Sequence, residues 1–168
     1  MTLPRALLAI VAALFCAAAI ADESPPIAVP KGGPHENAAR AYNDGVKLML
    51  DRRYAEAQRR FEEAIGLEES LAEAHNNLAF SLRMQGTANF DRSLREYRRA
   101  LEINPRLAQA YMYRGVLHTQ MGNKDLARAD LETLRGLDRE LAAKLERAMA
   151  DLARDDRDGL APQVEGVY

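Results

Sequence analysis

No tryptophan occurs among the 168 residues, and the single cysteine, Cys16, lies in an apolar stretch near the start. Beyond that stretch the chain has neither a disulfide framework nor a thiol nucleophile. Histidine is scarce too. His35, His75 and His118 are the whole supply, and none stands at ligand spacing from other donors that could complete a metal site. There is no glycine-rich phosphate loop. Neither sign of charge dominates, with 23 basic and 25 acidic residues and a formal net charge of -2, so the chain carries no nucleic-acid footprint. The basic pairs Arg52-Arg53, Arg59-Arg60 and Arg98-Arg99 have glutamates such as Glu62, Glu63 and Glu96 nearby, the pattern of charge-paired helix surfaces. These absences leave little room for catalysis, so no enzyme activity, cofactor or metal is expected.

Long hydrophobic runs are absent except from Ala6 to Ala21, which carries no charge but is shorter than the roughly 20 residues a helical membrane span needs. Ala19 and Ala21 sit at the A-x-A spacing of a signal-peptidase site, which predicts an export signal over residues 1–21, cleaved after Ala21 or retained as an anchor. With the Ala- and Arg-rich composition, this points to a bacterial periplasmic protein with no membrane span after cleavage. Residues 22–36 hold four prolines and the Gly32-Gly33 pair and read as a semi-extended linker. Residues 156–168 pass through Gly159 and Pro162 without periodicity and read as a flexible tail.

Between these ends, three segments repeat one another. Gly45, Ala79 and Gly115 fill one small-residue slot, and Ala57, Ser93 and Ala127 fill a second. Phe61, Tyr97 and Leu131 follow the second set by four positions, and Ala64, Ala100 and Leu134 come three further on. The intervals are 34 and 36 residues in the first series and 36 and 34 in the others. Small residues at fixed points of two helical segments, at this period, mark stacked helix pairs. The pairs are predicted as 37–50 with 54–67, 71–85 with 90–103, and 107–121 with 124–136, broken at Asp51-Arg52-Arg53, Gly86, Asn104-Pro105 and Gly122-Asn123. Leu141, Leu145, Ala148, Met149 and Leu152 form one apolar stripe, which predicts a capping helix over 138–154 for the exposed end of the array.

The segments resemble the tetratricopeptide repeat (TPR) family, whose pattern runs W-x2-L-G-x2-Y, then A-x3-F, Ala and Pro. Leu78-Ala79, Leu82, Tyr97, Ala100-Leu101 and Pro105 carry the resemblance in the second repeat. Gly45, Leu48, Ala57, Phe61 and Ala64 carry it in the first, and Tyr111, Gly115, His118 and Ala127 in the third. The tryptophan slot departs from the pattern, holding Ala41, His75 and Tyr111. The second repeat is two residues longer, around Thr87 to Asp91. The resemblance implies an all-α, right-handed α-solenoid of three helix-turn-helix repeats, delimited as 38–71, 72–107 and 108–141, within a domain over residues 37–155.

It also implies that the first helix of each pair lines a concave face. Aligned there are the rows Tyr42, Asn76, Met112; Val46, Phe80, Val116; Met49, Arg83, Thr119; and Leu50, Met84, Gln120. An aromatic and methionine surface of this kind suits an adaptable peptide groove; packing inside the domain is the alternative for each side chain. Asn43 and Asn77 resemble the asparagines by which family members hold an extended chain, and Tyr113 interrupts their series. The expected groove is therefore Tyr42, Asn43, Val46, Met49, Asn76, Asn77, Phe80, Arg83, Met84, Met112, Tyr113 and Val116. The places of the family's carboxylate clamp hold Tyr42, Val46, Asn77, Gln109 and Tyr113, so no such clamp is expected. The predicted function is a non-catalytic adaptor binding a protein or peptide partner in the cell envelope; self-association into a homo-oligomer is the alternative.

Overall fold

The computed structural model describes residues 34–157, and all regular structure among them is helical. The predicted export signal, nearly all of the linker and most of the tail lie outside the described residues. The helices are α1 (Pro34–Leu50), α2 (Tyr54–Leu67), α3 (Ala72–Met84), α4 (Phe90–Ile103), α5 (Ala108–Gln120), α6 (Lys124–Leu137) and α7 (Arg139–Arg157). Each of the first six packs mainly on its sequence neighbours, and α7 lies across both α5 and α6. No described helix is long and apolar enough to cross a membrane.

The first helix begins at Pro34, three residues ahead of the predicted start. Proline is tolerated in a helix's first turn, where the backbone donor has no intrahelical partner, and Glu36 complements the positive end of the helix dipole. The two extra residues of the second repeat enter a 3-10 turn, Thr87–Asn89, which leads into α4 behind Gly86. The turns of the first and third repeats share one hydrogen-bond pattern. Arg53 N–H donates to the Leu48 carbonyl at 2.8 Å and Arg52 N–H to Met49 at 3.0 Å; Asn123 and Gly122 repeat both bonds to His118 and Thr119 at 2.8 and 3.0 Å. This helix stop needs a left-handed residue. Gly122 supplies it at φ 76°, and Arg52 is forced into it at φ 59°.

The small slots do what their size implies. A Cβ built on Gly45 would stand 2.6 Å from the Phe61 ring, so glycine lets α1 and α2 close upon each other. In the third repeat the tight neighbour comes from a different element: a Cβ on Gly115 would meet Leu145 of α7 at 2.6 Å. Ser93 fits its slot by donating to the Ala79 carbonyl at 2.7 Å, so the hydroxyl costs the core nothing. The predicted stripe on α7 is buried at Leu141, Leu145 and Ala148. Asp138 opens that helix, its Oδ1 accepting from the backbone N–H groups of Glu140 and Leu141 at 2.9 and 3.0 Å. The surface is laced with the expected pairs, among them Arg53 with Glu56, Arg60 with Glu63, and Arg99 with Glu69 and Glu102.

Candidate functional site

The stacking sets α1, α3 and α5 side by side, because neighbouring first helices also touch one another. Asn77 Nδ2 donates to the Tyr42 hydroxyl at 3.0 Å, tying α3 to α1. The Phe80 ring meets Tyr113 of α5 edge-on at 5.1 Å and Tyr54 of α2 at 6.2 Å. Ten of the twelve predicted groove residues are buried: Tyr42, Val46, Met49, Asn76, Asn77, Phe80, Arg83, Met112, Tyr113 and Val116. Asn43 and Met84 are half-buried. The apolar members belong to one core cluster with Phe61, Ala64 and Tyr97. Burial, helped by the negative charge of Glu73 and opposed by the Asn77 bond, pushes the Tyr42 phenol well above its ordinary pKa, so it stays a neutral hydroxyl.

Within this buried surface the polar groups are unevenly matched. Asn76 Nδ2 donates to Asn77 Oδ1 at 3.0 Å, but Asn76 Oδ1 is buried with no partner. Arg83, 5% exposed, donates through Nη1 to Gln120 Oε1 at 3.2 Å and lies 5.2 Å from the Phe80 ring centroid. Its Nε and Nη2 have no hydrogen-bond partner. Among the described residues it pairs with no carboxylate. Burial also raises the pKa of the neighbouring Tyr97 phenol, opposed by Arg83, whose charge and side-chain N–H groups both stand near the phenol oxygen.

Two further buried groups carry structure. Asp130 on α6 holds Arg114 of α5 in a two-pronged bond, Nε to Oδ2 at 3.0 Å and Nη2 to Oδ1 at 2.5 Å. Asp130 stands in the stripe Ala127, Asp130, Leu131, Leu134, all four buried; that helical spacing was the available signal for a buried carboxylate, and the sequence reading did not use it. His75 bridges Glu96 at 2.8 Å and the Glu69 carbonyl at 3.2 Å. His118 is 4% exposed, and desolvation depresses its pKa; the Arg114 and Arg98 charges add to the effect and Asp130 opposes it. No group of three His, Cys, Asp or Glu side chains that could hold a metal occurs among the described residues.

This geometry is matched closely in solved structures. The chain folds as a tetratricopeptide-repeat solenoid. The Arabidopsis OM64 TPR domain superposes with a TM-score of 0.65 at 20% identity, covering 71% of this chain and 98% of that domain. The second TPR of Spaghetti (RPAP3) bound to HSP90 peptide SRMEEVD gives 0.58 at 18% identity, covering 61% and 94%. Among curated proteins, Photosystem I assembly protein Ycf3 of Synechococcus elongatus is 30% identical over 98 residues, 57% of this chain and 56% of that protein. The similarity thus spans little more than half the relative's length. No family model matches the sequence. The three hairpins of the solenoid are α1–α2, α3–α4 and α5–α6.

Proposed function

We propose that this protein is a non-catalytic adaptor that holds a segment of a partner protein along the first-helix side of its solenoid and helps assemble a complex in the bacterial envelope. The observation that carries the reading is that α1, α3 and α5 stand side by side across three repeats, held from beneath by the buried Tyr42–Asn77 and Phe80–Tyr113 contacts, with Leu50 exposed and Met84 half-buried at the rim. A wall drawn from three repeats suits an extended chain better than a compact substrate. A solved TPR domain of the same fold carries a bound peptide, and a partial relative is named as an assembly protein; both support the reading. The leader-like Ala6 to Ala21 stretch supports the envelope location.

Phe80 is packed too deeply between Tyr54 and Tyr113 to probe binding, so the test uses the rim. A photo-crosslinking residue is placed at Leu50 or Met84, on the aligned first-helix rows, and separately at Leu126, which is exposed on α6. The expected result in cells is one discrete adduct from Leu50 and Met84 and none from Leu126. Equal labelling from all three, or adducts from Leu126 alone, would overturn the adaptor reading; recovery of the adduct in the cytoplasmic fraction would overturn the envelope location.

A further inference from the structure

Asn76, Phe80 and Arg83 stand at i, i+4 and i+7 of α3, one stripe on one face of the helix. The stripe begins with a buried acceptor without a donor, Asn76 Oδ1, and ends with a buried cation without an anion. The unused atoms of Arg83 are informative. Nη1 is committed to Gln120, and what remains, Nε with Nη2, is the edge whose two N–H groups point the same way and grip both oxygens of a carboxylate. Arg114 uses that same edge on Asp130. A buried guanidinium is costly unless neutralised; the polar group beside this one, the Tyr97 hydroxyl, carries no charge, and no carboxylate among the described residues reaches it.

We propose that Arg83 is a carboxylate subsite of the concave face, taking an Asp or Glu side chain of an extended bound segment while Asn76 Oδ1 accepts a backbone N–H of the same segment. The proposal rests on the adaptor reading and names the chemistry of its partner. Charge complementarity selects the acid. Spacing sets its position: seven helical residues cover about 10 Å, which an extended chain crosses in about three residues. The way in passes Gln120, which is exposed, and Met84, which is half-buried, so the rim can move aside by side-chain rotation. Arg83 is outside the five clamp places considered in the sequence, so this would be a separate means of reading acidity.

The test uses the full chain and two pools of acetylated, amidated nonapeptides built from Leu, Val, Ala and Ser, one pool with a central Glu and the other with Gln. Affinity is read by fluorescence anisotropy. The Glu pool is expected to bind about tenfold more tightly, the scale of one charge-assisted hydrogen-bond pair. Arg83→Gln should remove the preference while leaving Gln-pool binding in place, and Arg83→Lys should restore only part of it, having charge without the fork. Equal binding of both pools by the unmodified chain would overturn the carboxylate subsite and leave the adaptor reading standing. Binding of neither pool would overturn both, and a preference that survives Arg83→Gln would remove Arg83 from the site. Should Arg83→Gln fail to fold by circular dichroism, the unmodified chain decides: a Glu preference that weakens with salt supports the proposal, and one insensitive to salt sinks it.

Discussion

Arg114 and Arg83 sit on consecutive first helices, α5 and α3, and both are largely withdrawn from water. The third repeat closes its arginine with Asp130, which fastens α5 to α6. In the second repeat the arginine bonds Gln120, lies against the Phe80 ring and stands beside the neutral Tyr97 hydroxyl, and among the described residues it meets no carboxylate. One chain thus shows a cation used as a structural tie and the same kind of cation left electrostatically incomplete. The contrast separates residues that the fold needs from residues that the fold tolerates, and removing each charge should have opposite consequences.

The largest effect is expected from Asp130→Ala, which leaves the part-buried Arg114 without its anion. Loss of roughly 3 kcal/mol in chemical denaturation is the expected result; a change under about 1 kcal/mol would break the comparison, because the tie would then carry no stability. Next comes the small slot of the first repeat. Gly45→Ala pushes a methyl into the Phe61 ring and should cost about 1–3 kcal/mol. The same change at Gly115 meets the mobile end of Leu145 and should cost less, so equal melting shifts would deny that the two slots are closed differently.

Arg83→Met sharpens the contrast directly. Removing an unpaired buried charge while keeping the side-chain volume should raise stability by roughly 1 kcal/mol. A clear loss in the same denaturation assay would mean that the Gln120 bond and the Phe80 contact make Arg83 structural. The smallest effect concerns the histidines, of which His75 has two partners and His118 Nδ1 has none. The depressed pKa of His118 means that below about pH 6.5 the unfolded chain takes up a proton that the folded chain refuses. Its contribution to stability is complete above that pH and declines as the pH falls toward the lowered folded value. His118→Leu should flatten that part of the melting profile between neutral and mildly acidic pH, and an unchanged slope would show that another group is responsible.

The architecture was legible because the evidence for it is local and periodic. Gly45, Ala79 and Gly115 give the repeat phase, while Pro105 and Gly122 fix the turns, so helix ends fall within three residues of their predicted places. Arg52 was less legible: only alignment with Gly122 reveals that it occupies a left-handed position. The candidate site was read at the level of which residues share a face; the structure shows contacts between those helices at Tyr42–Asn77 and Phe80–Tyr113. How deeply Tyr42, Phe80 and Met112 are enclosed depends on the distance between first helices, a property of the assembled stack. For the same reason the surroundings of Arg83 could not be seen in a string of letters, since they depend on which described side chains the stacking brings near it.

Leu145 presses into the niche at Gly115, the place where the last hairpin would otherwise present an open flank. The final helix therefore covers the flank of the third hairpin, burying surface that would otherwise face outward. A chain cut before Arg139 would uncover that flank and is expected to self-associate more readily with rising concentration than the longer chain, as sedimentation would show.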